Sequence, residues 1–200
     1  MTRSSTLAIG SFVVSLIAGV PFASGQTPPG NKWSHGTTLE VSTGAAMTSQ
    51  DTRGTLGGAF GWEINHWVEV EGSGTWLVAR QGDEAFAAEL KALANLTRPN
   101  TVVPFLGAGV GFYHASFDTT RSAIPDFYQR RMSGPPFGML VTFNDPSFVF
   151  AGGVNIFTGQ HFSIRPDISV RLVTRASDTY AVPMATVHIT YHFEVHDVVR

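Results

Sequence analysis

The sequence predicts an all-β protein, an eight-stranded antiparallel up-and-down transmembrane β-barrel, and three observations lead to that prediction. Eight long segments alternate apolar and polar side chains, as a strand with two different faces does. They are longer than the roughly 5–6 residues of an ordinary strand and match the roughly 9–11 residues that cross a bilayer. Their apolar faces are free of charge from the second segment on, and the connections alternate between short and long.

Composition narrows the function classes. Of the 200 residues, 43% are hydrophobic and 14% are charged, compared with roughly 25% charged in an average protein. The absence of cysteine excludes a disulfide scaffold, a thiolate metal site and a cysteine nucleophile. The formal net charge of -2 argues against a nucleic-acid partner held on a basic surface. The length indicates one domain.

The first 25 residues have the pattern of a secretory signal peptide. Arg3 supplies a positive charge, Leu7 to Val20 form an apolar run, and Ala23 to Gly25 are small residues suited to cleavage. The run is shorter than the roughly 20 residues of a transmembrane anchor. We therefore expect four regions: a signal peptide over 1–25, a periplasmic lead-in over 26–32, an outer-membrane β-barrel over 33–193 and a C-terminal tail over 194–200.

The rest of the chain divides into eight predicted strands. Their bounds are 34–43, 54–64, 67–78, 85–96, 102–114, 147–157, 161–173 and 182–193. The fourth segment also fits a helix, because Phe86, Leu90 and Leu93 follow a helical period. As a strand it places Glu89 and Lys91 on one polar face. A helix here would leave an odd number of strands and break the regular closure.

The alternation alone does not decide which face points outward, because a soluble lipocalin-like barrel alternates with its apolar face inside. Charges of both signs in similar numbers favour a closed interior, where buried charges must pair. Small residues on the polar faces leave space for long side chains within a narrow barrel. We therefore predict a charge network in the lumen, formed by Glu63, Glu69, Glu71, Glu89, Lys91, Arg165, Asp167 and Arg171.

The connections support an orientation in the membrane. Short ones lie at Asn65-His66, 97–101 and 158–160, and longer ones at 44–53, 79–84, 115–146 and 174–181. Outer-membrane barrels have short periplasmic turns and longer external loops. The longest connection carries Arg121, Arg130 and Arg131, and a loop of about 30 residues is usually either functional or disordered. We expect it to be a surface contact that binds lipopolysaccharide phosphates through these arginines.

Three segments resemble the small outer-membrane β-barrel family, of which the membrane domain of OmpA is the familiar type. Val102 to Gly111 resembles the fifth strand of that family, Trp67 to Glu71 the third strand, and Ile189 to Phe193 the closing strand. The resemblance implies a monomeric barrel in the outer membrane of a Gram-negative-type bacterium, with a structural or surface-interaction role and without a cofactor. Its implied partners are outer-membrane lipid, lipopolysaccharide and the barrel-insertion machinery.

Catalysis is suggested by one short motif only. His114 and Ser116 form a His-x-Ser pair on the outward face, and outer-membrane lipid A deacylases carry such a pair. A histidine base needs an orienting carboxylate, and the following predicted strand contains no glutamate. We predict a non-enzymatic protein with no metal site. Three alternatives remain open: a narrow pore, a lipid A-modifying deacylase-like barrel and a soluble periplasmic lipocalin-like barrel.

Overall fold

A computed structural model describes residues 36–48, 51–80, 82–98, 101–121, 123–130, 132, 140–158 and 161–193. In it, eight strands form a closed barrel in sequence order, and the last strand pairs with the first. Every neighbouring pair is antiparallel, which confirms the predicted fold class. The predicted regions 1–25, 26–32 and 194–200 lie outside the described residues.

The strands are longer than the sequence predicts. They are β1 (Thr37–Met47), β2 (Thr52–Asn65), β3 (Val68–Arg80), β4 (Asp83–Asn95), β5 (Val102–Asp118), β6 (Leu140–Phe157), β7 (Phe162–Arg175) and β8 (Asp178–His192). One short helix, α1 (Asp126–Gln129), lies in the connection between β5 and β6. Within the described part of the chain, no helix has the length and apolar character needed to cross a membrane.

The ambiguous fourth segment is a strand. β4 pairs with both β3 and β5 along almost its whole length, and its residues alternate between buried and exposed. Glu89 and Lys91 point into the barrel, whereas Phe86 and Leu90 point out. Pairing on both sides outweighs the helix preference of its Ala, Glu, Leu and Lys residues, because intrinsic propensity is weak compared with tertiary context.

The outer surface of the barrel is apolar. Leu56, Leu106 and Ile189 are 64%, 57% and 54% exposed, although a water-soluble barrel would bury them. Aromatic side chains are also exposed near both ends of the strands, including Trp62 and Trp76. This surface confirms the predicted outward orientation of the apolar faces and contradicts the soluble lipocalin-like alternative.

Three of the four expected long connections are tight, which corrects the prediction. Only residues 48–51, 81–82 and 176–177 separate the strands there, and Gly82 and Ala176 have φ values of 87° and 54°. The polar residues at these strand ends continue the strand alternation, whereas in the sequence they resemble loops. The connection over 119–139 is the long one. We call its end of the barrel the loop end and the opposite end the short-turn end.

Candidate functional site

The structure places all eight predicted network residues inside the barrel. Each of them is buried: Glu63, Glu69, Glu71, Glu89, Lys91, Arg165, Asp167 and Arg171. They lie in the half of the lumen nearer the short-turn end and at mid-height, as the ladder positions show. Glu40 and His188 are buried beside them. Alternation on adjacent strands brings the ten side chains into one narrow space.

Arg165 is the centre of the part of the network that lies nearer the short-turn end. Its Nη2 atom lies 2.6 Å from Glu40 Oε2 and 2.5 Å from Glu71 Oε2. Lys91 Nζ approaches the other oxygen, Glu71 Oε1, at 2.5 Å. These contacts join β1, β3, β4 and β7, so the network crosses the lumen instead of following one wall. Charge-assisted bonds of this kind offset part of the cost of removing each ion from water.

His188 joins one further carboxylate, that of Asp167, to the network through Glu40. Its Nδ1 atom lies 3.0 Å from Glu40 Oε2, and its Nε2 atom lies 3.2 Å from Asp167 Oδ2. The Thr186 hydroxyl also donates to Asp167. A second ion pair lies nearer the loop end, where Arg171 Nε donates to Glu89 Oε1 at 2.6 Å. Both arginines therefore link β7 to strands on other sides of the barrel.

Glycines make the space that these side chains occupy. Gly109 pairs with Lys91 and Gly111 with Glu89 on the neighbouring strand. A Cβ atom at Gly109 would lie 2.7 Å from Lys91 Cγ, and one at Gly111 would lie 2.9 Å from Glu89 Cγ. Both distances are too short for carbon atoms. The Gly-x-Gly-x-Gly pattern of β5 is therefore explained by close packing against β4, whose backbone carbonyls and side chains, including those of Lys91 and Glu89, leave no space for a Cβ atom.

The prediction of polar inward faces is wrong for many positions at the loop end. Its lumen contains a buried hydrophobic cluster built from inward side chains of several strands, among them Leu77, Tyr113, Val173, Val182 and Met184. Much of the lining of this half comes from strand extensions beyond the predicted segments, such as 115–118 and 140–146. We call this loop-end half, in which the hydrophobic cluster predominates, the apolar half, although ion pairs of Arg53 and Arg175 also lie within it.

Three described side chains of the long connection pack into the apolar half. Ile124, Phe127 and Tyr128 are buried, and we call these three side chains the plug. The Tyr128 ring stacks on Phe143 of β6 with 4.4 Å between ring centroids. The Phe127 ring lies 5.4 Å from that of Tyr180 on β8. Burial raises the pKa of Tyr128 above its usual value, and the charge of Asp145 adds to the effect.

Three ion pairs at the loop end, formed by Arg53 and Arg175, were not predicted. Arg53 of β2 pairs with Asp83 of β4 and, at 2.9 Å, with Asp51. Arg175 of β7 lies 2.8 Å from Asp145 of β6. These residues lie in segments that were predicted to be loops, so the alternation did not assign them to a face of a strand. Their inward positions in the extended strands could have been found only by continuing the alternation.

Two of the three predicted contact arginines lie on the outer side of the loop. Arg121 is exposed and lies 3.6 Å from Asp118. Arg130 is exposed, and its Nε atom donates to the backbone carbonyl of Asp126 at 3.3 Å. Arg131 lies outside the described residues. The loop therefore turns apolar side chains into the barrel and the two described arginines toward solvent.

The His-x-Ser motif does not form a catalytic pair in the structure. His114 Nδ1 lies 2.7 Å from Asn144 Oδ1, its neighbour on β6. Ser116 pairs in the ladders with Glu84 and Thr142, and within the described residues no hydrogen bond joins it to His114. The motif lacks the base-to-hydroxyl bond that nucleophilic catalysis needs.

One group of described residues has the spacing of metal ligands. Oxygens of Glu40, Glu69 and Glu71 lie within 4.8 Å of one another. Arg165 contacts two of these carboxylates, and Lys91 contacts Glu71 as well. Thr38 donates to Glu69 at 3.1 Å. Arg165 and Lys91 therefore already provide positive charge beside Glu40 and Glu71, as in a buried charge network.

Comparisons with known proteins agree with this architecture. A family model described as "Outer membrane protein beta-barrel domain" matches residues 10–193. Among solved structures, the chain is similar to Neisserial surface protein A, with 11% identity, a TM-score of 0.57, and coverage of 80% of this chain and 97% of that chain. A search of curated proteins finds no match.

Two further solved structures show the same likeness. The N-terminal β-barrel domain of OprF from Pseudomonas aeruginosa has 12% identity and a TM-score of 0.54, covering 80% of this chain and 100% of that one. The attachment invasion locus protein Ail of Yersinia pestis has 13% identity and a TM-score of 0.51, covering 80% and 97%. At such identities the likeness concerns the fold.

Proposed function

Because the chain belongs to the outer membrane protein beta-barrel domain family and lies in the outer membrane of a Gram-negative-type bacterium, we propose that it is a structural or surface-interaction barrel with a closed lumen. The strands hold the protein in the membrane, and the loop end faces the cell exterior. No catalytic step is part of this function. The proposal is therefore a membrane scaffold that presents one long loop.

The charge network across the lumen is the observation that carries the proposal. Arg165 of β7 pairs with Glu40 of β1 and, across the barrel, with Glu71 of β3, and Arg171 of β7 pairs with Glu89 of β4 nearer the loop end. An eight-stranded barrel has an interior that side chains can fill, whereas wide aqueous channels use more strands. The plug adds a second closure at the loop end. These features support a non-conducting barrel over a narrow pore.

Single-channel recording in planar bilayers tests this proposal. We expect no stable conductance steps from the wild-type protein, because the network occupies the path of ions. The double variant R165S/E71S is the matched control, since it removes one cation and one anion and shortens both side chains. It should conduct more than the wild type if it inserts equally well. Regular steps from the wild type at neutral pH would contradict the closed lumen.

The proposed partners follow from the two surfaces. We propose that the apolar outer surface contacts acyl chains and that the exposed Arg121 and Arg130 bind lipopolysaccharide phosphates. The aromatic end of the closing strand, with Tyr191 and Phe193, is the signal we propose for the insertion machinery. A closed barrel has no free edge within the membrane, which favours a monomer.

A further inference from the structure

The plug is held in the barrel by ring packing and has few polar ties to the wall. The hydrogen bonds made by residues 126–130 stay within the loop: Tyr128 and Gln129 donate to Pro125, and Arg130 donates to Asp126. The contacts with the barrel are aromatic, with Tyr128 against Phe143 and Phe117. A segment with such contacts can leave the barrel without breaking a β-ladder.

The wall beneath the plug combines apolar and polar groups. Aromatic and aliphatic side chains form most of it, among them Phe117, Phe143 and Val182. The next inward positions on β6 are Asp145 and Ser147, both buried. Among the described residues, Asp145 Oδ2, Ser147 Oγ and the Tyr128 hydroxyl form no hydrogen bond. Buried polar atoms usually have partners, so these acceptors mark a place where a donor fits.

We propose that the apolar half of the lumen is a binding site for a small aromatic molecule that carries one hydrogen-bond donor, and that the plug occupies this site until such a molecule displaces it. The rings of Phe127 and Tyr128 show which shape the site accepts, because they stack against its wall. The free Asp145 oxygen accepts the hydrogen bond from this donor. Part of the binding energy opens the plug, which lowers the apparent affinity.

In this proposal a molecule bound at the site cannot pass on toward the short-turn end. The proposal therefore rests on the proposed closed lumen. Below it, Arg171 and Glu89 form a buried pair across the barrel. A charged, desolvated layer of this kind opposes the passage of an apolar molecule. Binding then changes the position of the loop at the cell surface without transport. The loop arginines move with it, which couples occupancy of the site to the surface that the protein presents.

Thiol labelling in phospholipid vesicles tests the displacement of the plug. The chain contains no cysteine, so Ile124→Cys creates a single reporter within the plug. With a membrane-impermeant maleimide and 1-naphthol as the probe, we expect slow labelling that rises on the order of tenfold when the probe saturates the site. Gln129→Cys is the control, because Gln129 is exposed and its labelling should stay fast and unchanged.

A post-folding lock provides a second measurement. Phe127→Cys/Tyr180→Cys, joined after folding by a short cleavable bis-thiosulfonate, should retain no 1-naphthol beyond the amount in protein-free vesicles, and cleavage should restore retention. Retention of 1-naphthol by the locked protein would overturn the proposed site. A labelling rate of Ile124→Cys that does not change with 1-naphthol would overturn it as well. Conductance induced by 1-naphthol would instead overturn the closed lumen and leave the site standing.

Discussion

At the scale of single residues, the missing side chain of Gly111 matters as much as the charges around it. A Cβ atom there would collide with the backbone carbonyl of Ala88 and lie 2.9 Å from Glu89 Cα. Because neither backbone atom can rotate away, we expect Gly111→Ala to lower the free energy of unfolding by roughly 1–3 kcal/mol. Urea titration of the barrel in lipid vesicles measures this change.

Gly72→Ala is the matched control for that substitution. Gly72 lies on the outer face of β3, and a Cβ atom there meets nothing within 4 Å. The added methyl restricts the unfolded chain, so we expect a change between about zero and a gain of 1 kcal/mol. An equal loss at both glycines would mean that Gly111 is needed for backbone freedom in general and not for packing against Glu89.

At the scale of elements, the long loop separates two kinds of side chain. Its plug packs inward, while Arg121 and Arg130 remain exposed. We expect Arg121→Gln/Arg130→Gln to weaken binding of lipopolysaccharide, because each lost cation removes a charge-assisted bond of about 1.5–3 kcal/mol at most. Binding to lipopolysaccharide vesicles at two salt concentrations measures it, and the variant should also lose salt dependence.

Arg98→Gln provides the control for the loop arginines. Arg98 is exposed in the connection that follows β4, at the short-turn end of the barrel. A substitution there changes the net charge by one without touching the loop. If it weakens binding as much as a loop substitution does, total charge and not the loop determines the interaction.

The elements also show how far the sequence determines this fold. Alternation placed Glu71, Lys91 and Arg165 on the lumen face, because a strand leaves no other choice once its register is known. The alternation did not reveal where the strands end, since a pair such as Gly82-Asp83 is typical of turns. The inward fold of Phe127 and Tyr128 was not predictable, because a loop has no period and its packing depends on the shape of the barrel mouth.

At the scale of the whole molecule, the apolar outer surface should make the cost of introducing a charged side chain depend on its depth in the membrane. Ile168 lies near the middle of β7 and is 56% exposed on the outer face. We expect Ile168→Arg to cost roughly 2–4 kcal/mol, because an arginine at the midplane loses its hydration. Ile64, also on the outer face, lies at the short-turn end of β2, so Ile64→Arg should cost only about 0–1 kcal/mol there.

Equilibrium unfolding in lipid vesicles measures both variants, and heat-modifiable mobility on a detergent gel reports whether each barrel has closed. The same pair in a detergent with a loose, hydrated interior should differ less, since the cost comes from the hydrocarbon and not from contacts within the protein. Equal costs at both depths in lipid would mean that the apolar outer surface does not face acyl chains. The depth dependence therefore joins the exposed side chains of the barrel to the membrane that surrounds it.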